Sequence, residues 1–424
     1  MRGAILTIGS EILSGAVADT NAAWLTGRLG EEGLDVVARL TLGDDPQAIE
    51  DGVRTWLRRV DLLVLTGGLG ATPDDRTRPS VARALGRTLV LHEPSAASIR
   101  RKLSGRGAAS ADESPALLPM GAEALSNPVG LAPGFLVEDG ESCLLAVPGV
   151  PAEMRGILDE HLGRILERWA DRPRLQWRSL HTFGVPETRV AQLVAPRIPA
   201  PIRVSYLPRC GIVEIRLGIA SSSPEPSAEL AAAAAAAGEA LGDAVFGWDG
   251  ETLEEVVGRL LVRSSKTLGV AESLTGGRVG SAVTAVPGSS RYFLGGVVAY
   301  GNRAKEDLLG VPADLLKRHG AVSSRVARSM AEGARRVFGV DVGLSTTGIA
   351  GPAGGTEDKP VGLVYFAVAE EGRTVAVRRT FRGERGMIVE RSTATALDLL
   401  RRSLSGRLDE DVESGGPATG IDLA

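Results

Sequence analysis

The stretch "KTLGVAESLTGGRVGSAV", Lys266–Val283, holds three patterns in succession. The apolar run Leu268–Ala271 reads as a buried strand, the Gly-rich piece after Glu272 as a turn, and the rest as a helix. Strand, tight turn and helix in that order form the unit of a layered α/β fold. Ser273 has two readings on this turn. It is a nucleophile mounted where strand passes into helix, or it belongs to a hydroxyl-rich cap, the commoner use of Ser and Thr at such a place. The local pattern alone leaves both open.

The same alternation runs through the first part of the chain. "GAILTIG" (Gly3–Gly9) and "DLLVLTGG" (Asp61–Gly68) read as strands, the second apolar throughout as in a parallel sheet buried on both faces. "NAAWLTGRLGEEG" (Asn21–Gly33) reads as an amphipathic helix closed by glycine, and Pro46 suits the first turn of another. This domain is expected over residues 1–168. Residues 174–247 contain period-two alternation, with Ile212, Glu214 and Arg216 opposed to Val213, Ile215 and Leu217, and an Ala-rich helix. They read as a small α+β connector. Residues 252–405 return to the α/β pattern. The fold class is therefore α/β, two layered domains joined by the connector. The remainder, 406–424, is acidic, Gly-rich and free of aromatics, and is expected to be disordered.

Composition narrows the function. The 424 residues are 43% hydrophobic and 24% charged, with a formal net charge of -4. No basic footprint for nucleic acid is present, and no apolar run approaches the ~20 residues of a membrane span. The apolar start is cut short by Gly9, Ser10 and Glu11, so it reads as a first strand and not a signal peptide, and a cytoplasmic protein is expected. Cys143 and Cys210 form neither a disulfide framework nor a metal knuckle, and His92, His161, His181 and His319 lack metal-ligand spacing. Lysines occur only at Lys102, Lys266, Lys305, Lys317 and Lys359. In a chain that uses Arg by default, a Lys is worth weighing as a titratable amine, although a solvated surface Lys is the commoner case.

Three turns of the third domain follow apolar strands: "AESLTGG", "AYGNRAK" and "TTGIAGPAGGTEDKPVG". In a parallel sheet the loops at the strands' C-terminal ends share one crevice. Ser273, Tyr300, Lys305 and Thr347 can therefore converge without a histidine. A partly desolvated Lys can be neutral near pH 7 and serve a serine as base, and a Tyr can hold or relay the proton. Amides after Thr275, at Gly276 and Gly277, can face an oxyanion, and Thr275 can cap the helix.

"AESLTGG", "VVAYGNRAKEDLLGV" (Val297–Val311) and "TTGIAGPAGGTEDKPVGLVYFAV" (Thr346–Val368) resemble the nicotinamide-nucleotide amidase domain of the CinA family, competence/damage-inducible protein A. The resemblance implies hydrolysis of the carboxamide of nicotinamide mononucleotide, without a cofactor. It makes Ser273 the nucleophile, Lys305 the base and Tyr300 its partner. Thr275, Gly276, Gly277, Thr347 and Gly351 become substrate contacts, with Arg385 or Arg391 on the phosphate. The family often has Cys at the place of Leu274 and Ser at that of Gly301.

"TIGSEILSGAVADTNAAWL" (Thr7–Leu25) and "LTGGLGATPDDRT" (Leu65–Thr77) point to a second site. Gly67, Gly68 and Gly70 permit backbone amides to approach a phosphate. Asp74, Asp75, Glu11 and Asp44 are hard oxygen ligands suited to a divalent cation, while a plain turn and helix cap explains Pro73-Asp74 equally well. Together with "VPGVPAEM" (Val147–Met154), these loops resemble the molybdopterin-binding-like half of full-length CinA proteins, with Ala71 where the family pattern usually has Pro. The resemblance implies metal-dependent cleavage of ADP-ribose to AMP and ribose 5-phosphate, with Asn21 and the three glycines on the substrate. The expected partners are small nucleotides and a second copy of the chain, a homodimer being the commonest closed assembly. A rival reading is a nucleotide- or pterin-binding module, linked to competence or DNA damage, with one or both sites inactive.

Overall fold

The computed structural model describes residues 1–104, 112–171, 173–223 and 227–408. The chain divides into two compact units, Met1–Trp177 with Ile219–Ser227, and Arg178–Gly218 with the chain from Ala228 onward. Most of the segment 406–424, expected to be a disordered tail, lies outside the described residues.

The first unit contains strands β1 (Arg2–Ile8), β2 (Asp35–Leu42), β3 (Leu62–Thr66), β4 (Leu89–Leu91), β5 (Leu117–Pro119), β6 (Glu123–Leu125), β7 (Gly134–Asp139) and β8 (Ser142–Val147). Its helices are α1 (Ser10–Leu13), α2 (Thr20–Glu31), α3 (Pro46–Leu57), α4 (Thr77–Ala84), α5 (Glu93–Ser104) and α6 (Pro151–Leu166). The main sheet has the order β2-β1-β3-β8-β7-β6. The first four strands in this order are parallel to one another, which suits the apolar run of β3, since every residue of β3 is buried. Leu62 and Val64 face α2 and α6, while Leu63 and Leu65 face α3 and α4. Asp19 and Asp45 start α2 and α3 by accepting the N–H groups of Ala22 and Ala48, each at 2.8 Å. β7 and β8 form an antiparallel hairpin through Gly140, whose φ of 63° needs glycine.

In the connector region, β9 (Arg174–Phe183), β10 (Arg203–Arg209), β11 (Ile212–Ser221) and β12 (Val245–Trp248) form a sheet ordered β10-β11-β9-β12, with α7 (Glu187–Val194) and α8 (Ala228–Leu241). β10 and β11 are an antiparallel pair.

The last sheet is built from β13 (Leu268–Glu272), β14 (Phe293–Val298), β15 (Val342–Gly348), β16 (Leu363–Glu370) and β17 (Arg373–Thr380), in the order β14-β13-β15-β16-β17. β13 is parallel to both neighbours, and β15, β16 and β17 are antiparallel. Around it lie α9 (Leu253–Ser264), α10 (Arg278–Ala285), α11 (Asn302–Leu309), α12 (Ala313–His319), α13 (Ser324–Phe338) and α14 (Arg385–Leu404). A capping box of Thr252 and Glu255 starts α9. Register aligns the strand ends. Glu272 pairs with Val298, the last residue of β14, on one side and with Thr346, two residues before the end of β15, on the other, so the exits of the three strands lie at one end of the sheet.

α13 lies unusually close to this sheet because its inner stripe is small. Ala327 and Ala331 pack on Ala367, Ala369 and Ala376, and a Cβ built on Gly343 would stand 2.0 Å from the Ala331 carbonyl oxygen. That oxygen is backbone and cannot turn aside. Gly343→Ala is therefore expected to destabilise the protein by about 1–3 kcal/mol through overpacking. Urea unfolding followed by circular dichroism checks this, with a lower midpoint expected.

Candidate active site

β13 is buried at every position and delivers Ser273 at its C-terminal end, where the Ser273 N–H donates to the Thr346 carbonyl at 2.9 Å. The chain then turns through Gly276 and Gly277, both left-handed (φ 60° and 98°), before α10 begins. Those conformations favour glycine. Ser273 is 8% exposed and faces Lys305, from the first turns of α11, which is 1% exposed.

Lys305 Nζ stands 3.1 Å from Ser273 Oγ. It also donates to the carbonyls of Ala299 at 2.7 Å and Tyr300 at 3.2 Å. Among the described residues no carboxylate pairs with it, and burial lowers its pKa from 10.5 to about 8. A neutral amine has two N–H groups and one lone pair. The two carbonyls take the N–H groups, and the lone pair is left for the serine O–H. The ammonium form fits the same three neighbours with the last bond reversed. The site thus satisfies both protonation states, as a proton carrier must.

Tyr300 does not join this pair through its phenol. Its side chain is 60% exposed, and its hydroxyl accepts from Arg385 Nη2 at 2.9 Å. Only its main-chain carbonyl reaches Lys305. The expected role of Tyr300 as a side-chain partner of the base is corrected accordingly: the backbone beyond β14 turns the phenol outward. Arg385 also donates to the Gly351 carbonyl at 2.8 Å, tying the loop after β15 to the loop after β14. Gly351 is left-handed (φ 76°), with the space of a Cβ taken by Val361. Arg391, farther along α14, donates to the Arg382 carbonyl. Thr347 is buried and spends its O–H on the Ala321 carbonyl at 2.8 Å.

Thr275 does not cap α10. Its Oγ1 meets Thr346 Oγ1 at 2.7 Å, both buried. The cap is Glu272, whose carboxylate accepts from the N–H groups of Gly277, Val279 and Gly280. The Gly277 amide is therefore engaged and does not face an oxyanion.

In the first unit, a cavity of about 880 Å³ opens beside the glycine loop, lined among others by Thr7, Glu11, Asn21, Gly68, Asp75 and Lys102. Gly67 (φ 106°) and Gly68 (φ 64°) are left-handed, and a Cβ on Gly67 would meet the Ile8 carbonyl at 2.1 Å. A Cβ on Gly70 would meet the Asp75 carboxylate at 2.5 Å. Arg78, 5% exposed, donates to the carbonyls of Leu69 and Gly70, so the buried guanidinium holds these oxygens. Asn21 donates to the Gly149 carbonyl at 2.7 Å, while its Oδ1 and the Thr7 hydroxyl are buried without a hydrogen bond.

The four candidate metal ligands are not gathered into one cluster. Glu11 and Asp75 line the cavity. Asp44 accepts from the Ser10 N–H at 3.0 Å, and a hydrogen bond from Thr72 holds the Asp74 carboxyl below its usual range. Among the described residues no three His, Cys, Asp or Glu side chains come together as a metal-binding group. Two carboxylates in a cavity beside a phosphate-type loop still fit a hard cation that is shared with ligand phosphates, because such ions need only one or two protein carboxylates.

Residues 250–404 match the family described as CinA C-terminal domain, and residues 4–168 match the probable molybdopterin binding domain. A CinA-like protein of Geobacter metallireducens is 41% identical over 416 residues, covering 95% of this chain and 99% of that protein. The chain belongs to the CinA family. A second CinA-like protein, from Geobacter sulfurreducens, is 42% identical over 410 residues, with 95% and 99% covered. Among solved structures, a CinA protein of unknown function from Thermoplasma acidophilum is 34% identical, covers 39% of this chain and 97% of its own, and has a TM-score of 0.37. A competence/damage inducible protein from Agrobacterium tumefaciens is 35% identical, with 37% and 97% covered and a TM-score of 0.35.

In this CinA-family chain the motif residues Ser273 and Lys305 meet directly, and Tyr300, Arg385 and Gly351 form the adjoining bridge. Two contributors escaped the sequence reading. Glu272 is an acid at the end of an otherwise apolar strand, a signal visible in the sequence. Arg78 looks like any other Arg until its burial is known. No described helix is long and apolar enough to cross a membrane.

Proposed function

We propose that the C-terminal unit is a Ser-Lys amidohydrolase acting on nicotinamide mononucleotide, and that the cavity of the N-terminal unit cleaves ADP-ribose. The observation that carries the first reading is the buried 3.1 Å contact between Lys305 Nζ and Ser273 Oγ. With a pKa of about 8, roughly a tenth of the Lys305 amines are neutral at pH 7, on the order of 300-fold more than at a pKa of 10.5.

In the first step the Ser273 oxygen bonds to the carboxamide carbon, its proton passes to Lys305, and the carbonyl electron pair moves to oxygen. As the tetrahedral intermediate collapses, the carbon–nitrogen bond breaks. The nitrogen takes the proton from Lys305 and leaves as ammonia. Water then attacks the acyl-serine with Lys305 again as base, releasing nicotinate mononucleotide and restoring Ser273. Arg385, at the rim, receives the phosphate in this reading, and releases Tyr300 or Gly351 to do so.

For the N-terminal unit the support is the cavity itself, with its glycine loop and the unpaired polar atoms of Thr7 and Asn21. The Gly67 N–H is spent on the Val147 carbonyl at 3.1 Å, which corrects its expected place on the phosphate. The loop amides at Gly68 and Gly70 hold phosphate oxygens while Arg78 fixes the loop's carbonyls. Asn21 Oδ1 takes a hydroxyl or amine donor of the ligand. A divalent cation held by Glu11 and Asp75 would supply charge neutralisation of the pyrophosphate.

Ser273→Ala and Lys305→Arg are each expected to lower ammonia release from nicotinamide mononucleotide by at least about 10³-fold, since Arg does not provide a neutral base. A coupled ammonia assay reads this, with circular dichroism to show an intact fold. Full activity of either variant would refute the assignment.

The pH profile follows from the lowered pKa of Lys305. The neutral base gains population as pH rises, so kcat/KM should climb about tenfold per unit below pH 8 and level off above it. A profile flat from pH 6 to 9 contradicts a lysine base.

AMP release from ADP-ribose is expected to stop in excess chelator and return with added divalent cation, followed by chromatography. Binding of ADP-ribose without AMP release at any metal concentration would favour a binding module instead.

A further inference from the structure

The N–H groups of the turn after β13 can be accounted for one by one. Ser273 donates to Thr346, Gly276 to the Ser273 carbonyl and Arg278 to the Thr275 carbonyl. Gly277, Val279 and Gly280 donate to the Glu272 carboxylate, at 2.9, 3.1 and 2.8 Å. Among the described residues, no acceptor takes the N–H groups of Leu274 and Thr275. Leu274 is 5% exposed and Thr275 2%, so two amides without partners sit in a buried turn. Buried backbone N–H groups are seldom left without partners in folded proteins. These two directly follow Ser273 along the chain.

Glu272 explains why the free amides lie here and not at the start of α10. It is 2% exposed and occupies the helix N-terminus from the strand that carries Ser273. The carboxylate thereby removes the helix end as an anion site. It also folds the intervening residues back into a tight loop closed by Gly276 and Gly277.

We propose that the N–H groups of Leu274 and Thr275 form the oxyanion hole of the Ser273 reaction, and that Glu272 is the positioning residue that shapes it. The assignment deepens the amidohydrolase reading and rests on it. When Oγ bonds to the carboxamide carbon, the former carbonyl oxygen gains the electron pair and accepts both N–H groups. No proton moves to or from Glu272. An N–H from the residue after the nucleophile serves in this way at other strand-to-helix turns, and removal of one such donor typically costs about 10²–10³ in kcat.

The first test is Glu272→Gln, which keeps the shape of the side chain but leaves one oxygen to accept three amides. With nicotinamide mononucleotide, kcat should fall about 10²-fold while KM stays within about threefold. A kcat within about threefold of the parent overturns the proposal. So does a fall in kcat matched by an equal rise in KM, which marks loss of general binding geometry.

The second test needs no variant. Phenylmethylsulfonyl fluoride should label Ser273 of the full chain and place a sulfonyl oxygen in the hole. Amide hydrogen exchange at Leu274 and Thr275 should then slow at least about tenfold. Labelled protein with unchanged exchange at both amides overturns the oxyanion assignment alone. A parent protein that neither releases ammonia nor labels at Ser273 removes the amidohydrolase reading, and this assignment with it.

Discussion

A lysine amine buried without a counter-charge is the constraint around which the C-terminal site is organised. Burial of an ammonium is unfavourable, and the common remedy, a carboxylate at contact distance, would hold the group charged and useless as a base. Here two main-chain carbonyls and one hydroxyl supply the hydrogen bonds. Carbonyl dipoles satisfy the N–H groups yet only partly stabilise the positive charge. The result is a pKa of about 8, which permits both forms near neutrality. The carbonyls come from the residues just beyond β14 and Ser273 from the residue just beyond β13, two neighbouring parallel strands, so strand register helps set these groups about one amine.

The Glu272 carboxylate is the counterpart of that arrangement. In the mechanism proposed above, an acid a single residue before Ser273 is a hazard to a neutral lysine if it turns toward Lys305. Three backbone N–H groups hold it on α10 instead. The same turn therefore keeps a full negative charge and a basic amine apart, although residue 272 directly precedes the serine that touches the amine.

Much of this was legible in the sequence because it depends on pattern. Apolar runs ending in Gly-rich turns identify the strand ends, and Ser273 and Lys305 meet across two neighbouring turns, whereas the Thr347 hydroxyl is spent on the Ala321 carbonyl. What was not legible depends on the backbone. Ala299 and Tyr300 contribute through carbonyls, which every residue possesses, so nothing in their identity marks the role. Thr275 and Glu272 are both capable of capping, and only the left-handed pair Gly276-Gly277 decides for Glu272 by bringing the helix start back over the strand end. In the N-terminal unit, the Gly-rich loop was legible through its glycines, whereas four acids on three loops are indistinguishable by spacing. Glu11 and Asp75 line the cavity and Asp44 is held by Ser10, a distinction that exists only in three dimensions.

The two carbonyls on Lys305 have a consequence for how the protein tolerates change. Point mutation replaces side chains and leaves the peptide oxygen in place. Substitutions at residue 300 can therefore alter the exposed rim while the hydrogen bond from Lys305 to the carbonyl of residue 300 is kept. The side chain and the main chain of one residue thus serve two neighbours, the phenol Arg385 and the carbonyl Lys305, and only the first of these depends on which amino acid stands there.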